Sequence, residues 1–220
     1  MSDGREVRQQ FVAPLLLAAA ALIAVVPWLH PDNTCKDWLE KWGQLAAHPM
    51  WLPIHQVAMG GFALAALAGL MVAWLGPLSR TGLLGGAGLA AGYGIQAMLV
   101  VVHASAVSSL GQAFNAAAGD VSRRQAIRTT AEAFVSYDVA ASGVAAILLS
   151  GGAILTAWSL AEAGVFSRMV GVVMAGLGAI WGLAYFHLSA GEWVPYTSLA
   201  LWLAAVAVFL FIAGRRPSPA

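Results

Sequence analysis

The chain holds five histidines, at positions 30, 48, 55, 103 and 187, and each lies at the boundary of a long apolar segment. Imidazole ligates haem iron, copper and zinc, and a nearby carboxylate can ligate beside it or orient it from behind. One carboxylate, Asp138, interrupts an apolar segment, next to Tyr137. His55, His103 and His187 with Asp138 therefore form the candidate site. The three imidazoles would ligate a b-type haem or, as second choice, a copper ion. In the haem version two of the three are axial ligands. Asp138 would join a metal as a ligand, tune a histidine or accept a proton. A chain with no cofactor, whose histidines are merely interfacial, is the standing alternative. His30 and His48 read as histidines solvated at a water interface. No HExxH or CxxC spacing is present, and no nucleotide-binding loop or Ser-His-Asp arrangement, so no catalytic residue is assigned.

Which elements would bring those four side chains together? The chain has 220 residues, 60% hydrophobic and only 10% charged, against about 25% charged in soluble domains. Nearly uncharged stretches recur at 11–29, 51–76, 82–104, 133–160, 167–188 and 193–213. Each is long enough to cross the hydrocarbon as a helix, which takes about 20 residues. Continuous apolar runs rich in Ala, Leu and Gly fit helices, whereas a membrane barrel would alternate. The expectation is an all-α polytopic membrane protein, one domain of six transmembrane helices. Arg5 and Arg8 precede the first segment as in a signal peptide, but Pro27-Trp28-Leu29-His30-Pro31 follows it, so a retained helix is expected.

Six spans put both termini on one side. Arg5, Arg8, Arg80, Arg168, Arg215 and Arg216 fall on that side and Lys36, Lys41, Arg123, Arg124 and Arg128 on the other. The second group shares its loops with Asp32, Asp37, Glu40, Asp120 and Glu132, so the termini are expected in the cytoplasm. All five histidines then lie at the outer edge. Thr34-x-x-Asp37 has a capping-box pattern, and the recurrence of Cys35, Trp38, Leu39, Trp42 and Leu45 predicts an amphipathic helix near 36–47 on the membrane surface. Val107, Leu110 and Phe114, then Ile127, Ala131 and Phe134, repeat at helical spacing around Gly119-Asp120. That pattern predicts an outward helical hairpin with Asp120 capping its second arm. Trp28, Trp51 and Trp193 read as an aromatic belt, and Met59, Met71, Met98, Met169 and Met174 as core fillers.

Gly88-x-x-x-Gly92 and Gly178-x-x-x-Gly182 admit two readings, close helix packing or room for a flat macrocycle beside His103 and His187. Apart from Asp138 no Asp, Glu, Lys or Arg falls within a span, which disfavours a proton pump or ion-coupled transporter. A net charge of +1 argues against a nucleic-acid partner. The stretch from "ILTAWSLAEAGVFSRMVGVVMAGLGAIWGLAYFH" to "WLAAVAVFLFIAGRR" resembles small six-helix bacterial integral membrane proteins of uncharacterised function. Ser167-Arg168, the Gly-rich fifth segment and the Arg-Arg tail carry the likeness. It implies a fold type and a bacterial inner membrane, and lends no site residues.

Two functions are expected from these readings. One is a subunit of a membrane redox complex that exchanges electrons with quinol or an outer donor. The other is a cofactor-free structural or assembly subunit. In both, other membrane or periplasmic subunits are partners, with the aromatic surface of Trp38, Trp42 and Phe114 as a docking face.

Overall fold

The computed structural model describes residues 3–29, 37–74, 80–162, 164–165, 167–187 and 193–214. Seven helices follow one another: α1 Asp3–Leu29, α2 Trp38–Ala47, α3 Trp51–Trp74, α4 Arg80–Ala116, α5 Val121–Glu162, α6 Arg168–His187 and α7 Trp193–Gly214. No strand occurs among the described residues. Four helices, α1, α3, α4 and α5, are long and apolar enough to cross a membrane. Their apolar lengths point to a lipid bilayer as their surroundings. The described apolar parts of the other two long helices, Arg168–Ile180 and Leu199–Ile212, are shorter than a span.

Six helices close into a ring. α3 packs on α4, α4 on α5, α5 on α6, α6 on α7, α7 on α1 and α1 back on α3. All six contribute to one core, in which Leu16, Phe62, Tyr93, Leu149, Met174 and Leu203 are buried. Small residues set the spacing between neighbours. A methyl group added at Gly152 would stand 2.6 Å from Leu89 N and 2.9 Å from Gly85 O. One added at Gly92 would meet Leu149 Cγ at 2.6 Å, and one at Gly178 would meet Ala153 Cβ at 2.5 Å. Helices in lipid gain little from hiding apolar surface from one another, so close van der Waals approach of this kind holds them. Of the two readings of Gly88-x-x-x-Gly92, close packing is therefore the observed one. The added methyl at Gly88 would touch Leu148 O and Gly152 Cα, which leaves no slot for a macrocycle on that face of α4.

α4 has 37 residues and α5 has 42. At about 1.5 Å per residue each exceeds 50 Å, well beyond a hydrocarbon thickness of about 30 Å. Their surplus lies at one end as a hairpin whose turn holds Gly119 at φ +142°, a backbone region that favours glycine. Asp120 caps α5 there, its Oδ1 accepting from Arg123 N–H at 2.9 Å.

α2 departs from expectation. Its N-cap is Asp37, whose Oδ1 accepts from Leu39 N–H at 2.9 Å, so Asp37 does not close a capping box begun by Thr34, which lies outside the described residues. The apolar face of α2 meets protein. It lies along the surplus length of α4, where an added methyl at Gly111 would be 2.4 Å from Gly43 N. Leu39, Phe114 and Ala131 are buried together with Trp38, Trp42, Leu110 and Ile127 against them. Phe114, 2% exposed, is thus an internal residue of a three-helix head and not part of a docking face. Two ion pairs lock the head, Arg124 to Glu40 at 3.0 Å and Arg128 to Asp37. The Arg124 guanidinium also sits 4.0 Å from the centre of the Phe114 ring.

Candidate functional site

The candidate site sits where the head meets the ring, and four helices build it. His55 is one turn into α3, after Pro53, which occupies the first turn where its missing N–H is not needed. His55 Nδ1 lies 2.7 Å from Trp51 O. A carbonyl can only accept, so Nδ1 carries a proton and donates it to that oxygen. His103, on α4, directs Nδ1 at Asp138 Oδ2 of α5, 3.2 Å away. There too Nδ1 is the ring nitrogen that faces an oxygen. The two imidazoles are nearly parallel, 15° between planes, with centroids 6.1 Å apart.

Aromatic rings wall the pair. Around His103 stand Trp42 of α2 at 6.3 Å, Trp51 of α3 at 6.4 Å and Phe134 of α5 at 6.1 Å. Trp51 also lies against His55 at 4.1 Å. Trp51 is 2% exposed and its Nε1 donates to Ala104 O at 3.4 Å. That corrects its place in an aromatic belt: it is a strut between α3 and α4. Trp28 is 75% exposed, and the Trp193 side chain lies outside the described residues. The methionines need a similar correction. Met174 is buried, but Met59, Met98 and Met169 face outward, as apolar side chains do on lipid-facing helices.

The structure thus brings His55, His103 and Asp138 together and separates them from His48. His48 ends α2, and its Nδ1 accepts from Met50 N–H at 3.2 Å. His187 is the last residue of α6, and its side chain lies outside the described residues, as does His30 altogether. Among the described residues, no group of three or more His, Cys, Asp or Glu side chains is arranged to hold a metal ion.

Sequence reasoning overlooked the walls. The Trp51–His55 spacing of four residues, which stacks side chains on one helical face, was the available signal for one of them. Gln96 and Ser142 were also overlooked. Both are buried, Gln96 on α4 and Ser142 on α5. The antiparallel register that sets Gly85 against Thr156 and His103 against Asp138 sets Gln96 level with Ala145.

Electrostatics in the head are simpler. Burial around Asp37 opposes its ionisation. The Arg128 guanidinium beside it and the N–H groups of Leu39 and Glu40 outweigh that effect and hold the carboxyl below its usual range.

Comparison of the chain with known protein families, with curated proteins and with solved structures finds no match.

Proposed function

We propose that this chain is a bacterial inner-membrane subunit, six times spanning with both termini in the cytoplasm, that holds a redox metal through His55 and His103. The observation that carries this reading is the pair of near-parallel imidazoles 6.1 Å apart, each with Nδ1 donating to an oxygen. Metal-ligating histidines are ordinarily held in this way, with the second nitrogen tied to a carbonyl or carboxylate so that Nε2 is fixed in direction and more basic. Asp138 is then the orienting group. His187, at the end of α6, is the candidate for a third ligand.

Copper fits this setting better than b-type haem. α5 fills the glycine face of α4 that would have seated a macrocycle, and a single ion between two imidazoles needs no such slot. The metal would supply one-electron transfer, and this chain's residues would hold and shield it. Trp42, Trp51 and Phe134 flank the imidazoles, and Asp138 holds the His103 ring by Nδ1. Quinol or an outer donor is the electron partner in this reading, within a larger membrane complex.

The test is the metal content and visible spectrum of the full chain, purified in mild detergent from cells supplied with iron and copper. Copper near one equivalent, lost in His103→Ala and weakened about tenfold or more in Asp138→Asn, supports the reading. A Soret band that shifts on reduction and is lost in His103→Ala moves it to haem. Colourless, metal-free protein ends it.

A second reading has its own support. The cluster joins α2 through Trp42, α3 through Trp51 and His55, α4 through His103, and α5 through Phe134 and Asp138. A joint of that kind suits a cofactor-free assembly subunit that presents the head to partner proteins. Metal-free protein that co-purifies with partner subunits, and loses them when the head is destabilised, is the result expected of it.

A further inference from the structure

Trp51 meets the two imidazoles in three ways. As the first residue of α3, it stands one turn before His55, and its backbone carbonyl accepts from the His55 Nδ1–H at 2.7 Å. Its indole Nε1 donates across to α4, to the carbonyl of Ala104, the residue after His103, at 3.4 Å. Its ring lies against both histidines, with centres 4.1 Å from His55 and 6.4 Å from His103. A hydrogen bond of 3.4 Å is long, and packing supplies the rest of the hold. The side chain is 2% exposed and is buried with Leu45 of α2 and Val107 of α4, with Trp42 against them. A side chain locked by its neighbours in this way is a fixed spacer.

What would such a spacer set? Asp138 orients the His103 ring and the Trp51 carbonyl orients the His55 ring, but neither contact fixes the distance between the two. A metal bonded to two imidazoles at about 2 Å each holds the ring centres about 5 to 6 Å apart, since each nitrogen lies roughly 1 Å from its centre. The observed 6.1 Å is at the wide end of that range, so little further widening is tolerated. Ligands need to be held to within about half an ångström. Deep in the ring, Gly69 brings α3 onto Leu89 and Ala90 of α4. At the level of the histidines the indole of Trp51 spans from α3 to α4.

We propose that Trp51 is the positioning residue of the site: its indole sets the separation of His55 and His103 and thereby the affinity for the metal. The proposal rests on the reading of these two histidines as metal ligands.

The test uses the full chain in mild detergent, as wild type, Trp51→Phe, Trp51→Leu and Val107→Ala. Trp51→Phe keeps a ring and removes the indole N–H, while Val107→Ala loosens the same buried cluster and leaves the indole in place. Cupric ion is titrated against a competing chelator, well below every unfolding temperature. Nitrogen splitting in the electron paramagnetic resonance spectrum counts the imidazoles bound. Two are expected in the wild type. Copper affinity should fall about tenfold in Trp51→Phe and about a hundredfold in Trp51→Leu, the range that follows loss of a ligating histidine's support. In Trp51→Leu the splitting of one imidazole should disappear. Val107→Ala should lower the unfolding temperature and leave affinity and spectrum unchanged. If Val107→Ala weakens copper as much as Trp51→Phe does, Trp51 acts by packing alone and the proposal is overturned. Wild-type affinity in both Trp51 variants overturns it too, with the metal reading intact. A wild type that binds no copper removes the copper reading itself, and this proposal with it.

Discussion

The head and the ring are built from the same two helices, α4 and α5, but are held by opposite means. In the head, α4 and α5 carry large side chains that meet across a gap: Phe114, Ile127 and Ala131 close over Leu39, and arginines reach to Asp37 and Glu40. In the ring the same helices touch backbone to backbone, with Gly152 against Leu89 N and Gly85 O. Where water is available, hiding Leu39 and Phe114 from it is favourable in itself. Where lipid surrounds the helices that gain vanishes and close fit replaces it. One helix pair therefore changes its chemistry along its length, and the His103–Asp138 pair sits at the change.

The ring is the easier of the two to break. Gly152→Leu forces a branched side chain into the backbone of α4 and should destabilise the bundle by about 3 kcal/mol or more, read as a large fall in unfolding temperature. Gly151→Ala next to it, with nothing within 4 Å of the added methyl, should leave that temperature unchanged or slightly higher. If the two behave alike, close packing does not hold the ring. Phe114→Ala tests the head. It should cost about 3 kcal/mol locally, releasing α2 to fast amide exchange while ring amides stay protected. Simultaneous loss of protection in both regions would show that head and ring fold as one unit.

The charges of the head give a smaller, pH-dependent effect. Asp37 has its carboxyl held below its ordinary range, so its contribution to stability is present above the unfolded value of about 3.9 and is lost as pH falls through the folded one. Amide protection of α2 should therefore weaken below about pH 4 in the wild type, and Asp37→Asn should flatten that dependence. High salt should act in the same direction at neutral pH. The smallest effect on folding belongs to the junction. Asp138→Asn keeps the shape and weakens a partly buried pair, about 0.5 kcal/mol, so a much larger loss would mark Asp138 as a fixture of both regions.

The apolar segments, the long hairpin and the turn at Gly119 were legible because each has a local cause: hydropathy, periodicity and a glycine before a capping aspartate. The meeting of His55, His103 and Asp138 was legible too, since each stands at the same end of its segment. The packing of α2 was not. An amphipathic helix has the same pattern whether its apolar face meets lipid or protein, and only Gly43 opposite Gly111, unreadable before the pairing is known, distinguishes the cases. The burial of Trp51 escaped for a like reason, because an interfacial tryptophan and a strut differ only in what lies beside them.

The closure of the ring by α1 and α7 has a consequence for how the molecule is made. In chain order α1 comes before the other ring helices and α7 after them, and Leu203, Val206 and Leu210 of α7 belong to the same buried core as Val12, Leu16 and Ile23 of α1. Through most of synthesis that flank of α1 has no α7 beside it in the bilayer. The small cavity beside Tyr93 likewise does not exist until Leu199 and Trp202 arrive. Assembly is therefore a zipper whose last tooth makes the interior.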